Sequence, residues 1–309
     1  MRQFVAVAEE LHFGRAARRL NMAQPPLSQA IRRIELELGI ALFDRSRRVV
    51  ELTEGGRVFL AEARRTLMQA DLACKLAQRA ATGAQEVRVS FISAALYRLL
   101  PRLLLRHREA HPNVSVRLFE RFSAEQIKDV LAGDLDVGFV TGISDPVSGL
   151  VTQVVERASY VAVLPRDWDL AQQDAVRLAD LADRPFIQPP ERYASDFSEP
   201  LEMFRIAGIT PRVTQETTQA ATTLSLVSAG LGCSILSSNM ARIQTTRIKF
   251  LPIIDAPPHR PWELKMIWAT DAGPKFTSDF VQTVKAFVAE HPQLIELPSD
   301  PRHEVEKAS

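Results

Sequence analysis

The stretch AARRLNMAQPPLSQAIRRIE, residues 16–35, decides how the front of this chain folds. Apolar residues recur at helical spacing on both sides of Asn21, a residue that tolerates the left-handed conformation in which helices end. Proline is tolerated in the first turn of a helix, where backbone N–H groups have no intrahelical partner. Pro25 and Pro26 therefore mark the start of a second helix, and the stretch predicts two short helices joined by a tight turn.

The second of these helices turns polar residues outward. Its predicted buried positions are Leu27, Ile31, Ile34 and Leu38. Arginine pairs with guanine, glutamine with adenine, and serine with a base or the backbone, while the free N–H groups at the helix start suit a phosphate. An ordinary pair of solvated helices is the alternative, because charged helical faces are common. The outward residues of this helix are Ser28, Gln29, Arg32 and Arg33, and Gln24 lies at its start.

The flanking segments complete a winged module. The apolar positions of a preceding helix are Phe4, Val5, Val7, Ala8 and Leu11. The segment LFDRSRRVVELTEGG, residues 42–56, has arginines on a turn before a short strand. Arg47 and Arg48 of this turn would lie along the phosphate backbone or in the minor groove, adding affinity that falls with salt. Together these features predict an all-α winged helix-turn-helix over residues 1–57.

Residues 4–60, FVAVAEELHFGRAARRLNMAQPPLSQAIRRIELELGIALFDRSRRVVELTEGGRVFL, resemble the LysR-type transcriptional regulators without a significant gap. The resemblance implies that the helix opening at the Gln-Pro pair is the recognition helix. It implies DNA contact for Arg47 or Arg48 in the wing and for six residues of that helix: Gln24, Pro25, Ser28, Gln29, Arg32 and Arg33. A weaker resemblance to the family's effector domain extends to about Leu297. Family members often have a Ser or Thr cap where this chain has Ala23. Losing such a cap typically costs about 1 kcal/mol, so we expect this helix to fray more in the absence of DNA.

A long linker helix is predicted from its cap, Thr53, to about Ala81. Small and apolar residues fall on it at steps of three and four, the pattern of a coiled-coil seam. The seam positions are Leu60, Ala63, Leu67, Ala70, Cys74, Ala77 and Ala81. This favours a dimerisation helix over residues 58–85, and the alternative is a helix that lies on its own effector domain. The resemblance implies antiparallel pairing of such helices.

Strands and helices alternate from Val87 onwards, which indicates βαβ units, a parallel sheet and an α/β fold. The resemblance implies the two-subdomain architecture of periplasmic binding proteins, with an effector-binding domain over residues 86–298 and a tail over 299–309. In that architecture the first subdomain takes 86–161 and 264–297, and the second takes 162–263.

The carboxyl ends of the predicted strands define a candidate ligand cleft, because open α/β sheets bind ligands there. The residues that we expect to contact an effector are Ser93, Ala94, Ser123, Thr141, Pro189, Thr217 and Gly232. Hydroxyl groups and helix N-termini facing a cleft favour a carboxylate or a similar small anion. Helix capping is the alternative role of each hydroxyl. In the family the matching positions bind effector, although carboxylate-binding members often have Ser or Thr where this chain has Ala94.

The distribution of charge and the motifs that the sequence lacks reduce the number of possible protein classes. Residues 1–85 hold 14 Lys and Arg against 9 Asp and Glu, whereas the remainder holds 24 against 28, as expected of a nucleic-acid module joined to another domain. Two distant cysteines form no disulfide framework, and charges interrupt every apolar run, so we expect a cytoplasmic protein without a membrane span. His107 and His111 lack the order of a zincin motif and a third ligand, so no metal, cofactor or catalytic residue is predicted.

The sequence therefore predicts a sequence-specific transcriptional regulator that responds to a small molecule. Its expected partners are a double-stranded DNA operator, a small organic or aromatic acid as anionic effector, and further copies of itself in a dimer of dimers, with RNA polymerase as an additional candidate. An enzyme and a secreted solute-binding protein are the alternatives. A basic three-helix front disfavours the solute-binding protein.

Overall fold

The computed structural model describes residues 1–44, 50–83, 85–190, 194–242, 246–270 and 274–297. The chain divides into two compact units, the first covering Met1–Thr82 and the second beginning at Gly83. None of the helices within the described segments is both long and apolar enough to cross a membrane.

The first unit is a three-helix module followed by a small hairpin and a long helix. Its elements are α1 (Arg2–Glu10), α2 (Phe13–Arg19), α3 (Gln24–Leu38), β1 (Phe43–Asp44), β2 (Glu51–Leu52) and α4 (Glu54–Thr82). The two strands pair antiparallel, with Phe43 opposite Leu52. The predicted helices and hairpin are thus confirmed, whereas the turn with Arg47 and Arg48 lies outside the described residues.

The core of the first unit forms around Phe4. The Phe4 ring centroid lies 5.4 Å from that of Phe43 and 4.9 Å from that of Phe59. Two predicted core positions are wrong: Leu11 is 41% exposed and Leu38 is 44% exposed. Both residues lie at the end of a helix, where the chain turns away. The apolar spacing includes these two positions, but no neighbouring element in the described segments covers their side chains.

A close backbone approach fixes the start of α4. A Cβ atom on Gly56 would lie 2.1 Å from the carbonyl oxygen of Leu42, so only glycine allows the helix to pass the hairpin here. Thr53 is the predicted cap, since its Oγ1 accepts the Gly56 N–H at 2.9 Å. The same hydroxyl donates to the carbonyl of Ala41 at 2.7 Å.

The structure divides the predicted seam of α4 into two parts. Leu60 and Ala63 pack in the core of their own unit, which corrects their assignment to a dimer contact. Leu67 is half-buried and the following seam positions Ala70, Cys74, Ala77 and Ala81 are exposed. A seam available to another helix therefore begins near Leu67.

The second unit contains three sheets, of five, three and two strands, with helices packed around them. Its elements are β3 (Glu86–Phe91), α5 (Leu100–Ala110), β4 (Ser115–Glu120), α6 (Ser123–Leu131), β5 (Val137–Val140), β6 (Leu150–Ala158), β7 (Tyr160–Pro165), α7 (Leu178–Ala182), β8 (Phe186–Gln188), α8 (Ala194–Ile206), β9 (Val213–Glu216), α9 (Ala220–Ser228), β10 (Ser234–Ser237), β11 (Ile248–Pro252), β12 (Trp262–Ala269) and α10 (Lys275–Glu290). Short 3₁₀ helices lie at Ser93–Leu96 and Ser238–Arg242.

The larger sheet has the strand order β4-β3-β5-β12-β6 and the smaller has the order β10-β7-β11. The prediction of a parallel sheet holds for β3, β4 and β5 in the larger sheet and for β8 and β9, which form a separate two-stranded sheet. It is wrong for β12, which runs antiparallel to both β5 and β6. The strands β6 and β11 were not predicted. The chain crosses between the sheets at Ser159 and again between Pro252 and Trp262, close to the predicted subdomain bounds.

His107 corrects one expectation about the helix that carries it. A helix end next to a proline, such as the one before Pro112, is usually solvated, but the His107 ring is completely buried between α5 and α10. Its Nδ1 lies 3.2 Å from the hydroxyl of Thr283, and its edge packs against Phe280. Burial, followed by the nearby charge of His111, lowers the pKa of His107.

Candidate functional site

The exposed face of α3 carries the residues that were predicted to contact DNA. Leu27 and Ile31 are fully buried in the module's core, which turns the opposite face of the helix outward. Ser28 is half-buried, and the exposed members of the predicted set are Gln24, Pro25, Gln29, Arg32 and Arg33. The structure therefore brings these side chains together on one accessible surface.

The first turn of α3 begins without a side-chain cap. Ala23 is the N-cap residue, and a proline occupies the first turn, as predicted. The preceding helix begins close by, since a Cβ atom on Gly14 would lie 3.6 Å from Gln24 Oε1. Its cap, His12, was missed because histidine is not among the usual capping residues. His12 Nδ1 accepts N–H groups from Gly14 and Arg15 at 3.0 and 3.2 Å, so the capping ring carries no proton on Nδ1.

The two arginines of α3 differ in their surroundings. Arg33 Nε donates to Glu37 Oε1 at 2.9 Å, so its charge is partly neutralised by the next turn. Arg32 forms no ion pair with any residue in the described segments. Its guanidinium group is thus the one on this helix whose donors are most available to a base edge or a phosphate.

Glu35 has a role that the sequence did not reveal. Its Oε1 accepts the backbone N–H groups of Leu42 and Phe43, at 2.9 and 3.2 Å. These bonds fasten the hairpin to α3. The position of the wing relative to the recognition helix therefore depends on a glutamate that looks like ordinary surface charge.

The second unit contains a cavity of about 130 Å³ between the ends of the larger sheet and of a smaller, three-stranded sheet. We call it the apolar cavity, after the side chains that dominate it. Its wall on the larger sheet includes three predicted residues, Ser93, Ala94 and Thr141. This wall also contains Ile92, Glu120, Arg121, Phe122 and Glu125.

The opposite wall comes from residues that sequence reasoning largely missed. It consists of Pro200, Thr218, Gln219, Ala220, Ile235, Leu236, Ser237 and Met240. Tyr160 and Trp262 close the cavity where the chain crosses from one sheet to the other. The only signal for these two aromatic residues is their position at the start of a strand beside a crossover.

Four predicted residues do not line the apolar cavity, which corrects their assignment. Ser123 is buried, and its Oγ accepts the backbone N–H of Thr141 at 3.1 Å, so it supports the wall from behind. Gly232 passes a backbone carbonyl that would lie 2.7 Å from any Cβ atom there. Thr217 bonds locally to Gln219, and Pro189 follows a strand without reaching the lining.

A buried polar pair supports the first wall. Ser90 donates to Gln126 Oε1 at 2.9 Å, and Gln126 Nε2 donates to the carbonyl of Arg121 at 2.9 Å. Gly138 leaves room for this amide, since a Cβ atom there would lie 2.9 Å from Gln126 Oε1. The loop that carries Arg121 into the wall is therefore fixed from the core.

The charges at the first wall are mainly negative. Glu120 and Glu125 are exposed and form no ion pair within the described segments, whereas Arg121 lies 2.9 Å from Asp129. Burial, with a further contribution from Glu199, raises the pKa of Tyr160 well above its usual range, so its phenol stays protonated. The N-terminal ends of α6 and α9 also face the cavity and bring partial positive charge.

Family models match both units. Residues 1–57 match the model of bacterial regulatory helix-turn-helix proteins of the lysR family, and residues 80–289 match the LysR substrate binding domain. AlsR of Bacillus subtilis, an HTH-type transcriptional regulator, is 36% identical over 79% of this chain and 81% of its own length. BenM of Acinetobacter baylyi, another such regulator, is 32% identical over 82% of this chain and 84% of its own.

Solved structures agree with these matches. Full-length CbnR, solved in complex with its target DNA, covers 92% of this chain and 97% of its own, at 28% identity and a TM-score of 0.57. The effector-binding domain of BenM, solved with its effector benzoate, covers 69% of this chain and 96% of its own; its TM-score is 0.58. At 22% identity that second likeness concerns the fold alone.

These regulators are not enzymes, and their two domains correspond to the two units described above. The chain belongs to the LysR family and is a DNA-binding transcriptional regulator with an effector-binding domain.

Proposed function

We propose that this regulator reads its operator with the exposed face of α3 and with the wing. The observation that carries the proposal is Arg32, an exposed guanidinium without an ion pair in the described segments, on a helix held from behind by Leu27 and Ile31. The proposed contact residues are Gln24, Pro25, Ser28, Gln29, Arg32 and Arg33, with Arg47 and Arg48 in the wing.

Binding of the full chain to an operator selected from random sequences tests this assignment. Arg32→Ala should weaken binding to the selected site by roughly 1–3 kcal/mol and binding to random DNA much less, because a base contact discriminates between sequences. Arg65→Ala is the matched control, since Arg65 is an exposed arginine on α4 that pairs with Glu62. Equal losses on both DNAs would make Arg32 a phosphate contact.

The effector is proposed to be a small organic or aromatic carboxylic acid bound in the apolar cavity. Support comes from the helix N-termini and the hydroxyls of Ser93 and Thr141 at one wall, and from BenM, whose effector-binding domain was solved with benzoate. In this proposal Ser93, Ala94 and Thr141 contact the ligand, and Ser123 acts through Thr141.

Thermal unfolding of the full chain with added benzoate and related acids tests the effector site. A ligand at 100 times its dissociation constant stabilises the folded state by about 2.7 kcal/mol. Ser93→Ala should reduce this stabilisation without changing the unliganded melting temperature, because the Ser93 side chain lines the cavity. Ala220→Phe should block the cavity. A ligand that still stabilised both the Ser93→Ala and the Ala220→Phe variants would bind elsewhere.

Assembly is proposed to occur through the exposed part of the α4 seam, from Leu67 to Ala77, in a cytoplasmic dimer of dimers. Small exposed residues on one side of a 29-residue helix support close pairing with a second copy. The proposed division is a DNA-binding domain over 1–57, a linker over 58–85 and an effector domain over 86–298. RNA polymerase is proposed as a further partner of the assembled regulator.

A further inference from the structure

A second cavity adjoins the apolar cavity and shares Thr141 and Tyr160 with it. It has a volume of about 290 Å³, and four of the ten residues that line it are charged, so we call it the polar cavity. Because two lining residues are common to both, the cavities form one cleft. A molecule seated in the apolar part can therefore extend a polar group into the other.

Two of the four charges in the polar cavity are already paired. Glu263 lies 3.2 Å from Lys265 Nζ and 2.9 Å from Arg157 Nε. Lys265 also donates to the carbonyl of Ile143 at 2.6 Å. These groups satisfy each other and hold the cavity's shape.

The other two charges, Arg260 and Glu199, lie side by side without an ion pair in the described segments. The Arg260 guanidinium donates to the hydroxyl of Ser144 at 2.6 Å. A carboxylate oxygen of Glu199 is 3.4 Å from the backbone nitrogen of Arg260, a long contact that leaves most of its acceptor capacity unused. Glu199 lines the polar cavity together with Tyr160, the residue that also lines the apolar cavity.

We infer that the effector is a zwitterion, an α-amino acid with an apolar side chain, and this inference rests on the function proposed above. Its carboxylate would pair with Arg260 and Ser144, its ammonium group with Glu199, and its side chain would lie against Met240 and Trp262 in the apolar cavity. A guanidinium and a carboxylate next to an apolar space match these three parts of one molecule.

Simpler ligands match the site less well. An acid without an ammonium group would leave Glu199 unpaired and would bring a second negative charge next to it. An amine without a carboxylate would leave Arg260 with only a hydroxyl partner. The exposed Glu120 and Glu125 at the rim of the apolar cavity also oppose a purely anionic ligand.

Binding of this kind would engage the second crossover directly. Arg260 lies between β11 and β12, whereas Ser144 belongs to the loop that follows β5. A carboxylate that bonds both side chains would tie the crossover to the larger sheet, while the ligand's side chain would contact Met240 in the 3₁₀ helix that follows β10 of the smaller sheet. The affinity of the ligand would then depend on how the two subdomains are arranged.

Calorimetry on the full chain with two matched sets of compounds tests the inference. One set is phenylalanine, hydrocinnamate and phenethylamine, and the other is leucine, isocaproate and isoamylamine. In each set the acid lacks only the ammonium group and the amine lacks only the carboxylate. At least one amino acid should bind roughly tenfold or more tightly than both of its partners, because each missing group leaves a charged side chain without its hydrogen-bonded partner.

Two variants assign the contacts. Arg260→Gln should lower the affinity for the amino acid roughly tenfold or more and leave the affinity for the amine unchanged. Glu199→Gln should lower the affinity for the amino acid and leave the affinity for the acid unchanged. Both side chains are at the surface of the cleft, so the melting temperature of the unliganded protein serves as the folding control.

The inference is overturned if neither amino acid binds, if an acid binds as tightly as its amino acid, or if Glu199→Gln leaves amino acid binding unchanged. An acid that still binds, and does so less tightly in Ser93→Ala, would leave the proposed effector site standing. If neither the amino acids nor the acids bind, the proposed effector class fails together with the inference.

Discussion

Replacing Ser123 by alanine should destabilise the effector-binding domain even though this residue does not line the apolar cavity. Its Oγ accepts the backbone N–H of Thr141 at 3.1 Å, and Thr141 is only 6% exposed. Alanine removes the acceptor and leaves that N–H buried without this partner. An unsatisfied buried donor costs about 1–3 kcal/mol.

The expected change in melting temperature follows from the size of the domain. One kcal/mol shifts the melting temperature of a domain of 150–250 residues by about 2–4 °C, so Ser123→Ala should lower it by roughly 2–12 °C. Scanning calorimetry of the unliganded full chain measures this directly. The loss should occur in the transition of the second unit, while the affinity of the chain for DNA stays the same.

Ser93→Ala is the matched control, because it removes a hydroxyl from the same wall of the cavity. Ser93 is half-buried, lines the cavity and makes no side-chain hydrogen bond within the described segments, so its removal should change stability by no more than about 0.5 kcal/mol. The reasoning is refuted if Ser123→Ala melts within a degree of the parent protein, or if Ser93→Ala is the less stable of the two.

Three further changes test other parts of the molecule. Gly56→Ala should destabilise the first unit by about 1–3 kcal/mol through overpacking, because its Cβ would lie 2.1 Å from a backbone oxygen. Gly55→Ala is the control, because its Cβ meets only the end of a side chain. Equal melting temperatures of the two variants would contradict this prediction. Ala70→Glu should dissociate the oligomer in light scattering, whereas Gln69→Glu, exposed beside the seam, should not; an unchanged Ala70→Glu oligomer would exclude the seam. Burial lowers the pKa of His107, so the unfolded chain takes up this proton first and the free energy of unfolding falls below the ordinary histidine pKa, by up to about 1.4 kcal/mol per pH unit. His107→Gln should reduce this fall. Denaturant titrations measure the free energy of unfolding at pH 7 and pH 5, and an equal loss between the two pH values in both proteins would disprove the prediction.

The front module could be predicted from sequence because its signals are local. Asn21 adopts a positive φ of 52° at the helix end where its residue type predicted a left-handed conformation. Prolines and the spacing of apolar residues located the start and the buried side of α3. Leu11 and Leu38 misled the prediction because periodicity records which residues could be buried, whereas burial also requires another element to cover them.

The ligand cleft was only half predictable, for a topological reason. Strand ends located Ser93 and Thr141, since parallel strands bring their carboxyl ends to one edge of a sheet. On the opposite wall, Ile235, Leu236 and Ser237 come from an antiparallel sheet, in which that rule does not apply. Thr218 follows the parallel strand β9 and lies next to the predicted Thr217. Tyr160 and Trp262 enter the cleft because the chain changes sheets beside them, and Arg260 precedes such a crossing. Residues far apart in sequence meet there without leaving a local pattern.

The buried carboxylate of Glu156 constrains how this cleft can respond to a ligand. Glu156 lies on β6 in the larger sheet, and its Oε1 accepts Asn239 Nδ2 at 3.2 Å from the segment after β10. The Arg98 guanidinium is 3.7 Å away, and beside this contact Ser238 N–H donates to the carbonyl of Ser159 at the first crossover. A hydrogen bond to a charged group, such as the one that Asn239 donates to Glu156 across the crossover, contributes about 1.5–3 kcal/mol. A ligand can shift the subdomains only by the difference between its affinities for the two arrangements. A movement that keeps this contact needs a smaller difference in affinity than a movement that breaks it. The first crossover should therefore act as the fixed side of the cleft, and effector-driven movement should be greatest on the side of the second crossover.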